Sequence, residues 1–362
     1  MEQLLISTYE SLVRPALFCM DAEEAHHLGQ GLLKSMGWLF DLSGAILGVS
    51  GLCGSGASSY ATFGLAGATL KNPVGLAAGF DKNGTLVDSL ASLGFGFVEI
   101  GSVTARPSAG NAKPRLFRLP QDQALINRLG LNGDGAEAVA DRLQACQFPI
   151  PVGLNIAKTN LPDLSMEKAA EDIAFSFKTL MHLPFAYVVI NTSCPNTHEG
   201  ALFACEELEL ILKAVSELNQ GRLPVFLKIS PDSPQSFLEA LSKLSLRYEI
   251  RGFVIGNTTV YRQSLKTSPK VLETIGNGGL SGAPLYANTC RLVKHFASSK
   301  AGYQEIIACG GIDSATSVKE MLALGASAVE LYSALVYKGP FLIYSILKEL
   351  KKEGFFNNQS AK

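Results

Sequence analysis

Apolar residues along this chain follow two regimes, and the change comes near Asn72. Before it the spacing is helical. Leu5, Tyr9, Leu12, Val13, Ala16, Leu17 and Met20 recur every three or four positions over residues 3–20, which predicts a helix with one apolar face. Pro15 has no amide hydrogen and should kink or split it. Asp21 with Glu24 has the form of a capping box and predicts the start of a second helix. Its apolar face would hold Ala25, Leu28, Leu32, Leu33 and Met36, and Gly37 would end it. The low-charge, Gly/Ser-rich stretch Ser43–Ser59 reads as a linker. Pattern alone leaves two uses open for the helices: a lid on the bottom of a larger domain, or a hydrophobic vestibule on a membrane surface.

From Asn72 onward, short apolar runs alternate with amphipathic segments. The runs are Val74–Ala78, Phe97–Gly101, Val152–Ile156, Tyr187–Asn191, Val225–Ile229, Gly252–Gly256, Ile306–Gly310 and Ala328–Tyr332. Most are apolar throughout, as strands buried on both faces must be. Helical stretches fall between them, among them Leu86–Leu93, Gly135–Gln144, Glu167–Met181, Glu206–Leu218, Pro234–Leu244 and Ala315–Leu324. Eight strands alternating with helices over about 260 residues predict an α/β fold, a (β/α)₈ TIM barrel with a small N-terminal helical extension. A doubly wound sheet would need G-x-G-x-x-G after its first strand, where this chain has Gly79-Phe80-Asp81-Lys82. Gly94 and Gly96 precede a strand rather than open a helix. The expected organisation is 1–42 helical extension, 43–71 linker and barrel-bottom segment, 72–350 barrel and 351–362 tail.

Composition narrows the function. The 362 residues carry 31 Lys+Arg against 32 Asp+Glu, a net charge of −1, which argues against a nucleic-acid binder. The seven cysteines, Cys19, Cys53, Cys146, Cys194, Cys205, Cys290 and Cys309, are odd in number and form no C-x-x-C. They predict a reducing compartment, with no disulfide framework, metal site or iron–sulfur cluster. No run reaches the roughly 18 apolar residues of a membrane span. Met1–Glu10 has two acidic residues and no basic one, unlike a signal or transit peptide. A soluble or peripheral chain is expected, with a trimmed presequence as the alternative.

In a TIM barrel, function gathers at the carboxyl ends of the strands. Here those ends read Ala77-Ala78-Gly79-Phe80-Asp81-Lys82, Gly101-Ser102, Asn155 with Lys158 beyond it, Asn191 to Thr197, Lys228, Asn257-Thr258-Thr259, Gly310-Gly311 and Tyr332-Ser333. The glycines after strand seven and Tyr332-Ser333 after strand eight stand where such barrels bind phosphate through backbone N–H groups. The Gly-rich loop Gly278–Gly282 could bring backbone equally close to a ligand. Taken singly, each glycine could equally serve a turn. Asn127, Asn155, Asn191, Asn196 and Asn257 offer donors and acceptors without charge, which suits a flavin or a pyrimidine ring. Lys228, on a buried strand, needs an anionic partner, and a reduced flavin would be one. Lys82 could meet a substrate carboxylate. Cys194 could act as a general base if its surroundings lower its pKa.

These motifs resemble dihydroorotate dehydrogenases over nearly the whole chain. The most specific are Asn72–Lys82 (NPVGLAAGFDK), Gly94–Thr104 (GFGFVEIGSVT), Pro114–Asn132 (PRLFRLPQDQALINRLGLN) and Gly278–Pro284 (GGLSGAP), joined by Lys228–Asp232 (KISPD) and Asn257–Thr259 (NTT). Val13–His26 (VRPALFCMDAEEAH) is similar to the N-terminal extension of the quinone-dependent class. The resemblance implies one non-covalent flavin mononucleotide (FMN), contacted by Ala78, Gly79, Ser102, Asn155, Asn191, Lys228, Gly282, Gly311, Tyr332 and Ser333. It implies that Lys82, Asn127, Asn191, Asn196, Asn257 and Thr258 bind dihydroorotate and that Cys194 is the base. The base would take a proton from ring carbon C5 while hydride leaves C6 for the flavin. The product, orotate, feeds pyrimidine (UMP) biosynthesis. Ubiquinone or menaquinone would then be reduced along a path between the N-terminal helices, lined by His26 and Arg118. The implied setting is peripheral, on the cytoplasmic face of a bacterial inner membrane, or the mitochondrial inner membrane if a presequence was trimmed. No iron–sulfur subunit is implied.

The chain departs from the class pattern at Cys194, where the quinone-dependent class has serine, and at His198–Phe203, where it has a Pro-Gly-Leu-Arg run. Gly256 and Leu131 stand where Thr and Phe are usual. Two rival expectations follow: another FMN-dependent barrel oxidoreductase acting on a related cyclic substrate or acceptor, or a non-catalytic flavin-binding homologue.

Overall fold

The computed structural model describes residues 2–53, 60, 62–161, 164–192 and 204–357. Eight parallel strands close into a barrel: β1 Val74–Leu76, β2 Phe97–Val103, β3 Val152–Ile156, β4 Tyr187–Asn191, β5 Val225–Ile229, β6 Gly252–Ile255, β7 Glu305–Cys309 and β8 Ala328–Leu331. They neighbour one another in chain order, and β8 pairs with β1 to close the ring. This is the predicted (β/α)₈ barrel. All eight predicted runs are strands, and the six predicted helices form within a few residues of their expected bounds, for instance Met166–Leu180 and Ala315–Ala323.

Two-residue alternation sorts the inward side chains into layers. Toward the amino ends, Phe97, Tyr187 and Phe226 fill the barrel, with the Tyr187 and Phe226 rings 5.2 Å apart. Gly75 and Gly153 leave room for these rings, since a Cβ on either would lie within 2.3 Å of Phe97 or Tyr187. Two positions further along β2, β3, β5, β7 and β8 stand Glu99, Asn155, Lys228, Cys309 and Glu330. An aromatic plug thus sits below a layer of polar side chains, which forms the floor of what lies above.

Three expectations about the periphery need correction. The second helix does not end at Gly37; it runs over Ala22–Ile46, with the Asp21 carboxylate accepting from the Glu23 and Glu24 amides. A single helical glycine costs only about 1 kcal/mol, and packing beyond it decides the matter. Phe40 is buried, and its carbonyl accepts a 2.7 Å hydrogen bond from the Tyr344 hydroxyl. Nor is the start of Ser43–Ser59 a free linker: the helix takes in its first residues, and Leu47, Val49 and Leu52 are buried, while 54–59 lie outside the described residues. Finally, Gly279–Gly282 is a strand and not a loop. It pairs with Ala124–Asn127, which pairs with Leu116–Leu119, to make a three-stranded antiparallel sheet over the barrel mouth.

The first helix is irregular where Pro15 predicts. It runs over Glu2–Thr8, widens into a π-helical turn at Tyr9–Val13 and resumes over Arg14–Phe18. Neither N-terminal helix lids the barrel bottom. That end carries the hairpin Phe63–Leu65/Ala68–Leu70, whose Ala66 amide donates to Glu305 at the start of β7. The helices lie instead beside the carboxyl end. Gln30 donates to the Phe80 carbonyl, Tyr9 to Val336 and Arg14 to Tyr337. The expected single apolar face of the second helix is split: Ala25 and Leu33 are buried, whereas Leu28, Leu32 and Met36 are exposed.

Candidate active site

A cleft with about 1410 Å³ of empty space, counting its open mouth, lies at the carboxyl ends of the strands. The barrel supplies its floor, and the antiparallel sheet supplies one wall through Leu116, Leu125, Asn127, Ser281 and Gly282. Most of the expected residues meet here. Ala78, Gly79, Ser102, Asn191, Lys228, Gly282, Gly311, Tyr332 and Ser333 all line the cleft, as do Lys82, Asn127, Asn257 and Thr258.

Asn155 does not reach the cleft. It is fully buried behind Ser102, whose hydroxyl donates to its side-chain oxygen, and its amide donates to Glu99 at 2.8 Å. Cys194 and Asn196 lie outside the described residues, with the rest of the loop that follows Thr192.

The cleft's polar groups are held in a chain. Lys228 Nζ stands 3.1 Å from Glu99 Oε1, and Glu99 receives the Asn155 amide. Beyond Ser102, the Asn191 amide donates to the Ser102 hydroxyl at 3.2 Å, and the Asn257 amide donates to Asn191 Oδ1 at 3.2 Å. The Thr258 backbone N–H donates to Asn257 Oδ1 at 2.8 Å. Each amide therefore has its donor and acceptor ends assigned by a neighbour, and five strands set the geometry of one surface. At the rim, Lys82 donates to Asn132.

The backbone approaches the cleft closely at two glycines. Gly282 has φ +103°, and a Cβ there would lie 2.4 Å from the Gln123 carbonyl oxygen. Gly311 has φ +74°, and a Cβ would lie 2.7 Å from Tyr286. No other residue type fits either position without displacing main chain. Between them the Ser281 and Ser333 hydroxyls are 2.9 Å apart.

The anionic partner sought for Lys228 is protein. Besides Glu99, Glu330 Oε2 lies 3.9 Å from its Nζ, and both glutamates are fully buried. Burial drives the ammonium toward its neutral form, but the neighbouring carboxyl groups, Glu99 foremost, outweigh it and Lys228 stays firmly protonated. Neither glutamate was singled out by sequence reasoning, although the strand runs signal both: a Glu inside an otherwise apolar barrel strand must be paired or neutral.

A profile of the family Dihydroorotate dehydrogenase matches residues 60–353. The chain is 39% identical over 358 residues to a dihydroorotate dehydrogenase (quinone) of Burkholderia ambifaria, covering 96% of this chain and 99% of the relative. This chain belongs to the dihydroorotate dehydrogenase family. A second dihydroorotate dehydrogenase (quinone), from a Synechococcus species, is 39% identical over 354 residues, covering 95% of this chain and 93% of the relative. Among solved structures, dihydroorotate dehydrogenase of Eimeria tenella in complex with ferulenol superposes with a TM-score of 0.78 at 28% identity, covering 96% of this chain and 97% of that one.

Matches spanning 96% of the chain take in the long N-terminal helix, which the family profile does not. The two residues expected along a quinone path sit on and beside that helix, outside the cleft lining. His26 packs edge-on against Phe80 with ring centroids 4.9 Å apart, and Phe80 meets the cleft residue Tyr332 at 5.8 Å. Burial pushes the His26 imidazole down to about 4, so it is neutral at pH 7. Arg118 lies over the Phe18 ring, 4.7 Å from its centroid, and donates to the Met20 and Asp21 carbonyls. Aromatic contacts therefore run from the long helix to the cleft wall.

Proposed function

We propose that this chain oxidises (S)-dihydroorotate to orotate with FMN bound in the cleft, and that a quinone takes the electrons, in the synthesis of UMP. The observation that carries the reading is the convergence of thirteen expected cofactor and substrate residues on one cleft at the carboxyl ends of the strands. Gly282 and Gly311, where a Cβ would collide with main chain, and the paired Ser281 and Ser333 hydroxyls fit a phosphate held by backbone N–H groups. These residues and Tyr332 would hold that end of the cofactor. Ala78, Gly79, Ser102, Asn191 and Lys228 would hold the ring system, with Asn155 acting through Ser102. When bound, the flavin supplies the acceptor for hydride and hands the electrons on.

The chain's own residues do the rest. Lys82 meets the substrate carboxylate. Asn127, Asn191, Asn257 and Thr258, with Asn196, match the ring N–H and C=O groups, and the Asn191–Asn257 bond presets which end of each amide faces the substrate. Cys194 takes the C5 proton.

The N-terminal helices fit a peripheral membrane site. Among the described residues no helix is long and apolar enough to cross a membrane. Leu4, Leu12, Val13, Met20, Leu28, Leu32, Met36, Leu42 and Ile46 are nevertheless exposed, all within the first 46 residues. An apolar surface of this kind beside the cleft suits a bilayer face that delivers ubiquinone or menaquinone, on the inner face of a bacterial inner membrane.

Acid release of the cofactor and turnover with four acceptors test the proposal. FMN in the extract, with dihydroorotate oxidised by ubiquinone or menaquinone analogues, is the expected result. Turnover with fumarate or NAD and none with quinones would reassign the acceptor, and release of no flavin would end the reading.

A further inference from the structure

Beneath the cleft, five strands turn an ionisable side chain toward the barrel axis: Glu99 from β2, Tyr187 from β4, Lys228 from β5, Cys309 from β7 and Glu330 from β8. Lys228 Nζ is 3.1 Å from Glu99 Oε1 and 3.9 Å from Glu330 Oε2, and neither carboxyl is exposed. Glu99 Oε1 accepts from Asn155 and Lys228, but Glu99 Oε2 and both Glu330 oxygens have no hydrogen-bond partner. Written as two carboxylates and one ammonium, the cluster is a buried net charge of −1 with three acceptor oxygens lacking a donor. Both features are costly away from water. A single proton on Glu330 brings the charge to zero and gives the acid an O–H to donate, which lowers the number of acceptor oxygens without a donor.

We propose that Glu330 is held as the neutral carboxylic acid beside the Glu99–Lys228 ion pair, a positioning residue that keeps the cleft floor from becoming anionic beneath an electron-rich ring. The surroundings agree. Burial, and after it the Glu99 charge, push Glu330 well above the usual carboxylate range, against the pull of Lys228. Burial drives the Cys309 thiol up to about 12 and the Tyr187 phenol upward as well, so neither adds a negative charge. The consequence for the flavin rests on the proposed function; the protonation does not.

Infrared spectroscopy of the full-length protein at pH 7 tests it. The expected signature is the carbonyl band of a protonated, buried carboxylic acid that shifts on hydrogen–deuterium exchange. Glu330→Gln should abolish it. Asp81→Asn and Asp172→Asn, which alter the two other carboxyls that burial pushes upward, should leave it. Glu99→Gln should also abolish it, because Glu330 then becomes the single counter-ion of Lys228 and ionises. This variant decides the matter should Glu330→Gln fail to fold. Absence of the band in the wild type, or its persistence in either glutamine variant, overturns the proposal.

A second readout is the midpoint potential of the bound flavin. Each glutamine variant keeps the cluster neutral, so neither should shift the potential. A positive shift in both would mean that two carboxylates are ionised in the wild type, contrary to the proposal. Should the protein hold no flavin, the functional reading falls while the infrared result still decides the protonation.

Discussion

The cleft and the N-terminal helices lie side by side at the carboxyl end of the barrel, yet they are built on opposite terms. In the cleft, polar side chains stand on barrel strands and brace one another from Lys228 through Glu99, Asn155, Ser102 and Asn191 to Asn257. In the helices, polar anchors such as Tyr9 to Val336, Arg118 to Met20 and the buried Arg115–Glu23 ion pair fix the inner side, and large apolar side chains face outward. The contrast matches two tasks. Proton and hydride removal need atoms held to a fraction of an ångström. A quinone with a long apolar tail needs surface and access, which an exposed apolar helix face supplies.

Substitutions can break this comparison, and the largest effect should come from the base. Cys194→Ala should slow reduction of the flavin by dihydroorotate by ~10²–10⁴-fold and leave reoxidation by quinone at its wild-type rate, as measured by stopped-flow absorbance of each half-reaction. Cys194→Ser should retain activity with its profile moved to higher pH, because a thiol is the stronger acid; identical pH–rate profiles would contradict this. Lys228→Met should come next. It strips buried Glu99 of its cation, and breaking a buried ion pair by removing one partner costs about 3–5 kcal/mol. Chemical denaturation should show that loss, together with lower flavin content.

On the helix side, Leu28→Glu combined with Leu32→Glu should lower partition onto lipid vesicles by about tenfold or more, since each leucine contributes roughly 1.5 kcal/mol or more when buried. Bleaching by dihydroorotate should be unaffected. A slowed first half-reaction would show that the two regions are not separable in this way.

The last effect joins the two regions. His26 has its pKa lowered from 6.5 to about 4 by burial. Above pH 6.5 the imidazole is neutral whether the chain is folded or not, and its contribution is fully present. As pH falls toward 4 the unfolded chain binds a proton that the folded one refuses, so stability is lost across that window. His26→Phe should flatten this part of the stability profile, as measured by denaturation at pH 7 and pH 4.5.

The barrel was legible because two-sided burial writes apolar runs into the chain, and eight such runs with helices between them admit few folds. The rim residues were legible because polar, small and lysine residues at strand ends break that rule in one place. What escaped notice had weaker local signals. Leu116–Leu119 and Ala124–Asn127 are short strands around a Pro-Gln-Asp-Gln turn, and the glycines of their partner Gly279–Gly282 read as a loop. Gly37 read as a stop because local propensity ignores the packing of Phe40 and Tyr344 around the helix beyond it. Glu99 and Glu330 were passed over because a mostly apolar strand hides its one buried acid. Only the closed ring brings both to Lys228, across registers that no local pattern contains.

The measurement that bears most directly on the proposed function is anaerobic. The purified yellow protein is mixed with dihydroorotate, the visible absorbance of its oxidised flavin is followed, and a ubiquinone analogue is then added. The account predicts bleaching by dihydroorotate and recovery with quinone. Bound flavin that dihydroorotate leaves unbleached would contradict it.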